Sequence, residues 1–274
     1  MGTPFISLVE PSKLDGFKHG RPRDEQPASI PSTFLDAMEV RKDVFVDELG
    51  VAPENEFGPD DSRSCHWVSY ASIHTTQEPE VRDEAGNVIQ PRKSSTRTTP
   101  IGTVRLVPFP HGRHPTPGGR YWKGVLEGEE PKPPPSEDDP AAATTFVQDR
   151  TTTFHDGRES YVKLSRLAVQ KDFRGNNLAA LLINTALDWL KENPSYFDPS
   201  ITELGLEHVG ASRETEIPSW GGLVCVHTHQ QVQDIWERCG FKVDEKMGTW
   251  WEEGLPHVGM FLRLPIGVKQ MRIY

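Results

Sequence analysis

Cysteine is scarce in this chain, with Cys65, Cys225 and Cys239 the only three in 274 residues. Their separations fit neither a disulfide framework nor a metal-ligand pattern, so a reducing compartment is expected and no metal centre. No apolar run approaches the roughly 20 residues that cross a bilayer, and the first residues have no basic-then-apolar leader. Ile6 stands where N-myristoylation of a Met-Gly start wants Ser or Thr. The expectation is a soluble, cytoplasmic protein with no membrane partner. Long basic runs are missing as well, and 30 Lys+Arg against 40 Asp+Glu give a formal net charge of -10. A surface of that sign argues against nucleic acid as a partner. It would draw in a cationic amine, although in most proteins acidity serves solubility alone.

The 274 residues can bury the core of one large domain or two small ones. Runs of strand and helix signals alternate, which places the chain in the α/β or α+β class, read as a single domain over 1–265 with a tail at 266–274. Phe5 to Val9 reads as a strand. Residues 32–49 read as a helix, with Ser32 or Thr33 as N-cap, Gly50 as the stop, and Phe34, Met38, Arg41, Phe45 and Leu49 on one face. Strands are expected near 64–74 and 101–108, separated by a loop or hairpin insertion at 76–100. A second insertion, 110–157, is heavy in proline and charge. Its segment 128–145 has too little apolar surface to order itself and is expected to be mobile, with Tyr121-Trp122 and Val125-Leu126 as an outlying flap. Towards the end, residues 201–209 and 223–228 read as strands and 229–239 as a helix closed by Gly240. The last strands are expected at 241–244 and 258–264, with Trp250 and Trp251 on the turn between them.

The most informative stretch is 161–194. Tyr161 to Val169 alternates as a strand, and after a short loop Leu178, Leu181, Leu182, Thr185, Ala186, Trp189 and Leu190 recur at helical spacing. Between them lies Arg174-Gly175-Asn176. A glycine there lets the backbone approach a ligand, and the first turn of the helix leaves amide N–H groups unpaired, so this is an anion site.

Strand, Asp172-Phe173-Arg174-Gly175-Asn176-Asn177-Leu178-Ala179, then amphipathic helix resembles the pyrophosphate motif of the GCN5-related N-acetyltransferases (GNAT). Three further segments resemble the same family in the same order. They are Arg41-Lys42-Asp43-Val44-Phe45-Val46-Asp47-Glu48 with its acidic loop and His66, then Ile101-Gly102-Thr103-Val104-Arg105-Leu106, then Trp236 to Phe241 followed by Leu255-Pro256-His257 and Met260.

The resemblance implies a mixed sheet whose fourth and fifth strands splay, with acetyl-CoA as cosubstrate lying in the gap. The backbone of Leu167, Ala168 and Val169 would bond its pantetheine arm, and amides of Arg174, Gly175, Asn176, Asn177, Leu178 and Ala179 would hold its pyrophosphate. Ordinary core strand and a tight strand-to-helix turn are the alternatives for these two segments. The implied reaction is direct transfer of an acetyl group to a primary amine, expected to be a small molecule.

Four residues depart from the family pattern. Asp172 stands for Gln or Arg and Asn177 for glycine. Trp236 stands for the tyrosine that protonates the leaving thiolate, and an indole is no acid at useful pH. Lys163 stands where several members place a catalytic glutamate. The expected catalytic residues are therefore His227, His66 and His257, with Arg41, Glu48 and Trp236 touching substrate, and Arg105 and Arg166 pairing within the sheet. A homodimer is reasonable. Two rival readings stand beside this one, an acyl-homoserine-lactone-synthase-like acyltransferase and a catalytically idle acetyl-CoA sensor.

Overall fold

In a computed structural model the described residues are 5–130, 148–198 and 219–266. Most of the stretch expected to be mobile, the strand expected at 201–209 and nearly all of the tail lie outside them. Among the described residues ten strands form one mixed sheet. Its left half runs β1 (Phe5–Val9), β2 (Cys65–Glu78), β5 (Lys93–Val107) and β8 (Tyr161–Val169), each antiparallel to the next. Its right half runs β9 (Leu223–His229), β12 (Leu255–Arg263), β11 (Thr249–Glu252) and the hairpin β6 (Arg120–Trp122) with β7 (Val125–Leu126), while β10 (Lys242–Val243) also pairs with β12. The class is α/β as expected. The 76–100 insertion is a hairpin: β2 and β5 run on as a ribbon from Tyr70↔Pro100 to Glu78↔Lys93, tipped by β3 (Val81–Arg82) and β4 (Val88–Gln90).

Helix α3 (Leu178–Glu192) packs one face of the sheet through Leu178, Leu182, Ile183, Ala186, Leu187 and Leu190. The buried stripe sits one residue round from the expected one, because Leu181 is exposed and Ile183 and Leu187 are inside. Helix α4 (Gln233–Arg238) lies on the same side and closes at Gly240. On the opposite face lies α1 (Ser32–Arg41), which continues as a π-helical segment, Lys42–Glu48, and stops at Gly50. Its N-cap is Pro31 and no side chain caps it, which corrects the expectation for Ser32 or Thr33. The buried positions are Phe34, Ala37, Val40, Arg41 and Val44, whereas Leu49 is exposed. Trp250 and Trp251 are on strand β11 rather than on a turn, and Trp250 is fully buried.

Two local events open the middle of the sheet. Arg166 has φ 52°, and at this point the β5–β8 register steps from Thr103↔Ala168 to Arg105↔Ser165. The extra residue is a β-bulge, which bends the strand and reverses which face its side chains take. Before it Tyr161 faces away from α3 and Val162 and Leu164 face towards it. Beyond it Ala168 joins Val40 and Val44 under α1, and Leu167 and Val169 turn to the α3 side. The second event is the end of the parallel ladder to β9. It holds only from Tyr161↔Leu223 to Leu164↔Val226, so Ser165 to Val169 and His227 to His229 diverge without pairing. This is the splay expected from the resemblance.

A buried charge network pins the α1 side of that splay. Between the π segment and β2, the short helix α2 (Asp60–Arg63) carries Asp61, whose Oδ1 accepts from Arg41 Nη1 at 2.7 Å and from Arg105 Nη1 at 2.8 Å. Arg41 also bonds Glu56 at 2.5 Å through Nε and at its carbonyl through Nη2, and Arg166 Nε lies 3.1 Å from Glu56 Oε1. Burial alone pushes the Asp61 pKa up, but the guanidiniums of Arg41 and Arg105 overcome it and hold the carboxylate well below its usual range.

Removing the shared anion would leave buried Arg105 without a carboxylate partner and buried Arg41 with Glu56 alone, so Asp61→Asn is expected to cost ~3–5 kcal/mol at neutral pH. Because the folded pKa lies below the unfolded value of about 3.9, this stabilisation is complete above that pH and fades as pH falls towards the folded value. Urea denaturation of both proteins should therefore show a large gap at pH 7 that narrows at pH 3. A gap under about 1 kcal/mol at pH 7, the range of an exposed pair, would contradict the network's role.

Candidate functional site

At one end of the splay the chain leaves β8, makes a single 3-10 turn at Lys171–Phe173 and enters α3. Gly175 has φ 78° and open space where a side chain would begin, so a ligand can reach the backbone there unobstructed. Asn177 caps α3 in the left-handed region, φ 60° and ψ 16°, with no side-chain capping bond. Asparagine tolerates that conformation better than other side-chain-bearing residues, which accounts for its standing in a glycine position. Residues 174–177 are exposed. The first amides of α3 are those that a helix leaves unpaired, and the macrodipole adds positive potential at the same place. Arg174 braces the loop: its Nε donates to Val169 O at 2.9 Å, and its two terminal nitrogens donate to the Glu48 carboxylate at 2.6 Å each. These features fit an anion of the pyrophosphate type, and the unpaired edge of Ser165 to Val169 fits an amide-bearing arm running up to it.

At the other end is a cleft of about 740 Å3 on the α1 face. Its floor is Tyr161, Lys163 and Arg166 of β8 with His227 and His229 of β9 and His257 of β12; Asn55 to Asp60 and Glu252 to Glu253 form its walls. Most of the charged wall is already paired. Glu56 is held by Arg41 and Arg166, Asp60 by Arg63 at 2.8 Å, and Glu252 Oε1 accepts from Trp250 Nε1 at 2.7 Å. The ammonium of half-buried Lys163 makes no hydrogen bond or ion pair among the described residues.

The three floor histidines differ. His257 Nδ1 lies 2.9 Å from Leu255 O, which assigns the ring proton to Nδ1 and leaves Nε2 with a lone pair. His229 packs edge-on against His257, with ring centroids 4.5 Å apart, and burial first, then the proximity of His257, lowers its pKa to about 4. His227 packs on Trp250 at 4.9 Å, and its Nε2 is buried with no hydrogen-bond partner. Burial first, then Lys163 and the neighbouring histidines, hold it well below the ordinary histidine range.

The splay thus brings together Leu167 to Val169, Arg174 to Ala179, His227 and His257, and four expected site residues fall elsewhere. His66 is 2% exposed and faces α1, with Nε2 2.9 Å from Asp61 O and its ring edge-on to Phe34. Arg41 is wholly buried in the charge network and cannot touch a substrate. Glu48 is taken up by Arg174 beside the anion loop, away from the cleft. Trp236 is 2% exposed and packs at 5.3 Å on Phe241 in the core beneath α4, so it has no route to a leaving group. The residues overlooked from sequence are Asn55, Asp60, Glu252 and Glu253, which only the fold brings to the cleft.

A search of curated proteins finds no match. Among solved structures the chain is similar to an Escherichia coli protein, ElaA, at 13% identity over 94% of this chain and 99% of that one, with a TM-score of 0.43. It is similar to an acyl-CoA N-acyltransferase from Pseudomonas aeruginosa at 14% identity, 94% and 99% coverage and a TM-score of 0.43. It is also similar to Arabidopsis thaliana NAA60 in complex with acetyl-CoA, at 11% identity, 96% and 99% coverage and a TM-score of 0.38. The sequence model of the acetyltransferase (GNAT) family matches residues 54–198, more than half of the chain, from the acidic loop through the splayed strand and the anion loop to the end of α3. The chain belongs to the GNAT family of acetyltransferases.

Proposed function

We propose that the protein is an acetyl-CoA-dependent N-acetyltransferase whose acceptor is a small primary amine that also carries a carboxylate. The observation that carries this reading is the splay itself: an exposed, uncapped helix start at one end and a histidine-lined cleft with an unpartnered lysine at the other. Acetyl-CoA supplies an acyl group already activated as a thioester, and a thiolate with a pKa of roughly 8.5 departs without an acid. Trp236 therefore need not act.

The work left to the chain's own residues is binding, orientation and proton removal. Amides of Arg174 to Ala179 hold the pyrophosphate, and the free edge of Leu167 to Val169 holds the pantetheine arm and offers an N–H to the oxyanion. In the cleft His257 Nε2 takes the proton from the incoming ammonium, directly or through one water, with Nδ1–H anchored on Leu255 O. His227, neutral because it is buried, lines the same cleft and has an unfilled hydrogen-bonding position at its buried Nε2. Among the described residues Lys163, in place of a family glutamate, is the lining cation of the sheet floor whose ammonium has no partner; Arg166 is spoken for by Glu56. Its charge suits the acceptor's carboxylate and makes it a specificity residue rather than a base.

Calorimetric titration is expected to show saturable acetyl-CoA binding that weakens at least tenfold, about 1.4 kcal/mol, in Asn176→Glu, where a carboxylate meets the exposed anion loop. An unchanged affinity in the mutant would remove the loop from the site. With a panel of paired amines, release of free thiol should favour the carboxylated member. Lys163→Met should raise KM for that member by roughly tenfold while acetyl-CoA affinity stays within about twofold. Equal effects on amines with and without a carboxylate would contradict the role given to Lys163.

A further inference from the structure

Behind the cleft, the two ends of the 110–157 insertion meet. His114 is on the segment leaving β5, and Asp149 and His155 are on the segment returning to β8, more than thirty residues later. All three offer ligand atoms within 4.8 Å of one another. His114 Nε2 is 2.9 Å from His155 Nδ1 and 3.7 Å from Asp149 Oδ2. Two ligands of a tetrahedral zinc ion, each at about 2.0–2.2 Å from the metal, lie about 3.3 Å apart, and the two observed separations bracket that value. Both rings are buried, at 5% and 4% exposure.

Hydrogen-bond accounting leaves the group incomplete as it stands. His155 Nε2 donates to Glu159 O at 2.9 Å, so its Nδ1 presents a lone pair inward. His114 then has two choices. If its proton is on Nε2 and goes to His155, the buried Nδ1 is an acceptor with no donor. If its proton is on Nδ1, that N–H has no acceptor among the described residues, and two nitrogen lone pairs face each other beside a carboxylate. His114 Nδ1 is without a partner in either case. A cation at the convergence takes up the two inward lone pairs and the carboxylate charge, while His114 Nδ1 lies on the far side of its ring from it, and the bond from His155 to Glu159 O is the outer contact that commonly orients a ligating imidazole.

The loop is built to hold these atoms in place. Asp149 N donates to Gly157 O at 2.9 Å, and Gly157 has φ 85° with a would-be Cβ only 2.4 Å from Asp149 O, so no other residue fits there. Asp244 receives Thr152 Oγ1 at 2.6 Å and the amides of Thr153 and Phe154 at 3.0 and 2.9 Å. Asp149 Oδ2 accepts from the His114 amide at 2.6 Å and Oδ1 from the Arg150 amide at 2.7 Å. A cavity of about 30 Å3 lined by Asp149, His155, His111 and Tyr161 adjoins the group and has room for a water as fourth ligand.

We propose that His114, Asp149 and His155 bind one zinc ion, which clips the two ends of the insertion together against Tyr161 at the start of β8. No metal centre is expected from the sequence, where cysteine spacing is the usual signal and these three ligands lie far apart in the chain. Closure of a long loop is where a metal clip is expected to stabilise most. The site is independent of the acyltransferase reading, and its test does not use activity.

Elemental analysis of the full chain, after incubation with zinc chloride and gel filtration, is expected to find one zinc per chain. Asp149→Asn with His155→Gln should hold less than roughly a tenth of that, with an unchanged far-ultraviolet circular dichroism spectrum. On the wild type, 1,10-phenanthroline should lower Tm by several degrees, with recovery on adding zinc but not magnesium. Cobalt substitution should give the visible bands of a four-coordinate site. A wild type that holds no zinc after incubation, or a double variant that keeps the full stoichiometry, would overturn the proposal.

Discussion

One buried carboxylate, Asp61, ties together α1, the acidic loop and β5 on the substrate side of the sheet. Its Oδ1 is shared by Arg41 from the first helix and Arg105 from β5, and its Oδ2 accepts the Gly58 amide at 2.9 Å. Desolvating these charges is costly, so they are stable inside only while all are matched. The match forces α1, the acidic loop and β5 into one arrangement. Through Glu56 the same network reaches Arg166, the residue at the bulge of β8. The bulge turns the strand just where its ladder to β9 stops. A charge network and a single left-handed residue therefore fix the width of the splay and the wall of the cleft.

From this frame the two ends of the site follow with little further adjustment. The splayed edge leads into Gly175 and the uncapped start of α3, where unpaired amides and the macrodipole favour a negative group. Its other end widens into a cleft whose acids are mostly paired and whose floor carries His227, His257 and Lys163. The family's usual tyrosine and glutamate positions are filled by a core tryptophan and a lysine. In this reading the reaction relies on preorganised backbone and a neutral imidazole, and the lysine's charge is turned to choosing the acceptor.

Much of this was legible in the sequence where local pattern carries the information. The β8 strand, the anion loop and α3 announce themselves through alternation, a glycine and helical spacing within some thirty residues. What was not legible is sidedness. His66 alternates correctly in β2 but on the face covered by Phe34, and Trp236 takes the inward position of a short helix. Arg41 was read as a substrate contact on the helix face of Phe34 and Phe45, whereas its partners Glu56 and Asp61 lie across a turn-rich loop. The β8 bulge inverts alternation after Ser165, which no period-two reading anticipates. His114, Asp149 and His155 escape a spacing search because the fold, rather than a motif, brings them together.

The central claim is that one splay receives an acyl-CoA, with its arm along Leu167 to Val169 and its pyrophosphate at Arg174 to Ala179. Hydrogen–deuterium exchange of the full chain with and without acetyl-CoA tests it most directly, because the contacts in question are backbone amides. Slowed exchange concentrated in peptides covering 165–180 is expected, with the β2–β5 ribbon unchanged. Unaltered exchange across 165–180 at saturating acetyl-CoA, or protection confined to another part of the sheet, would contradict it.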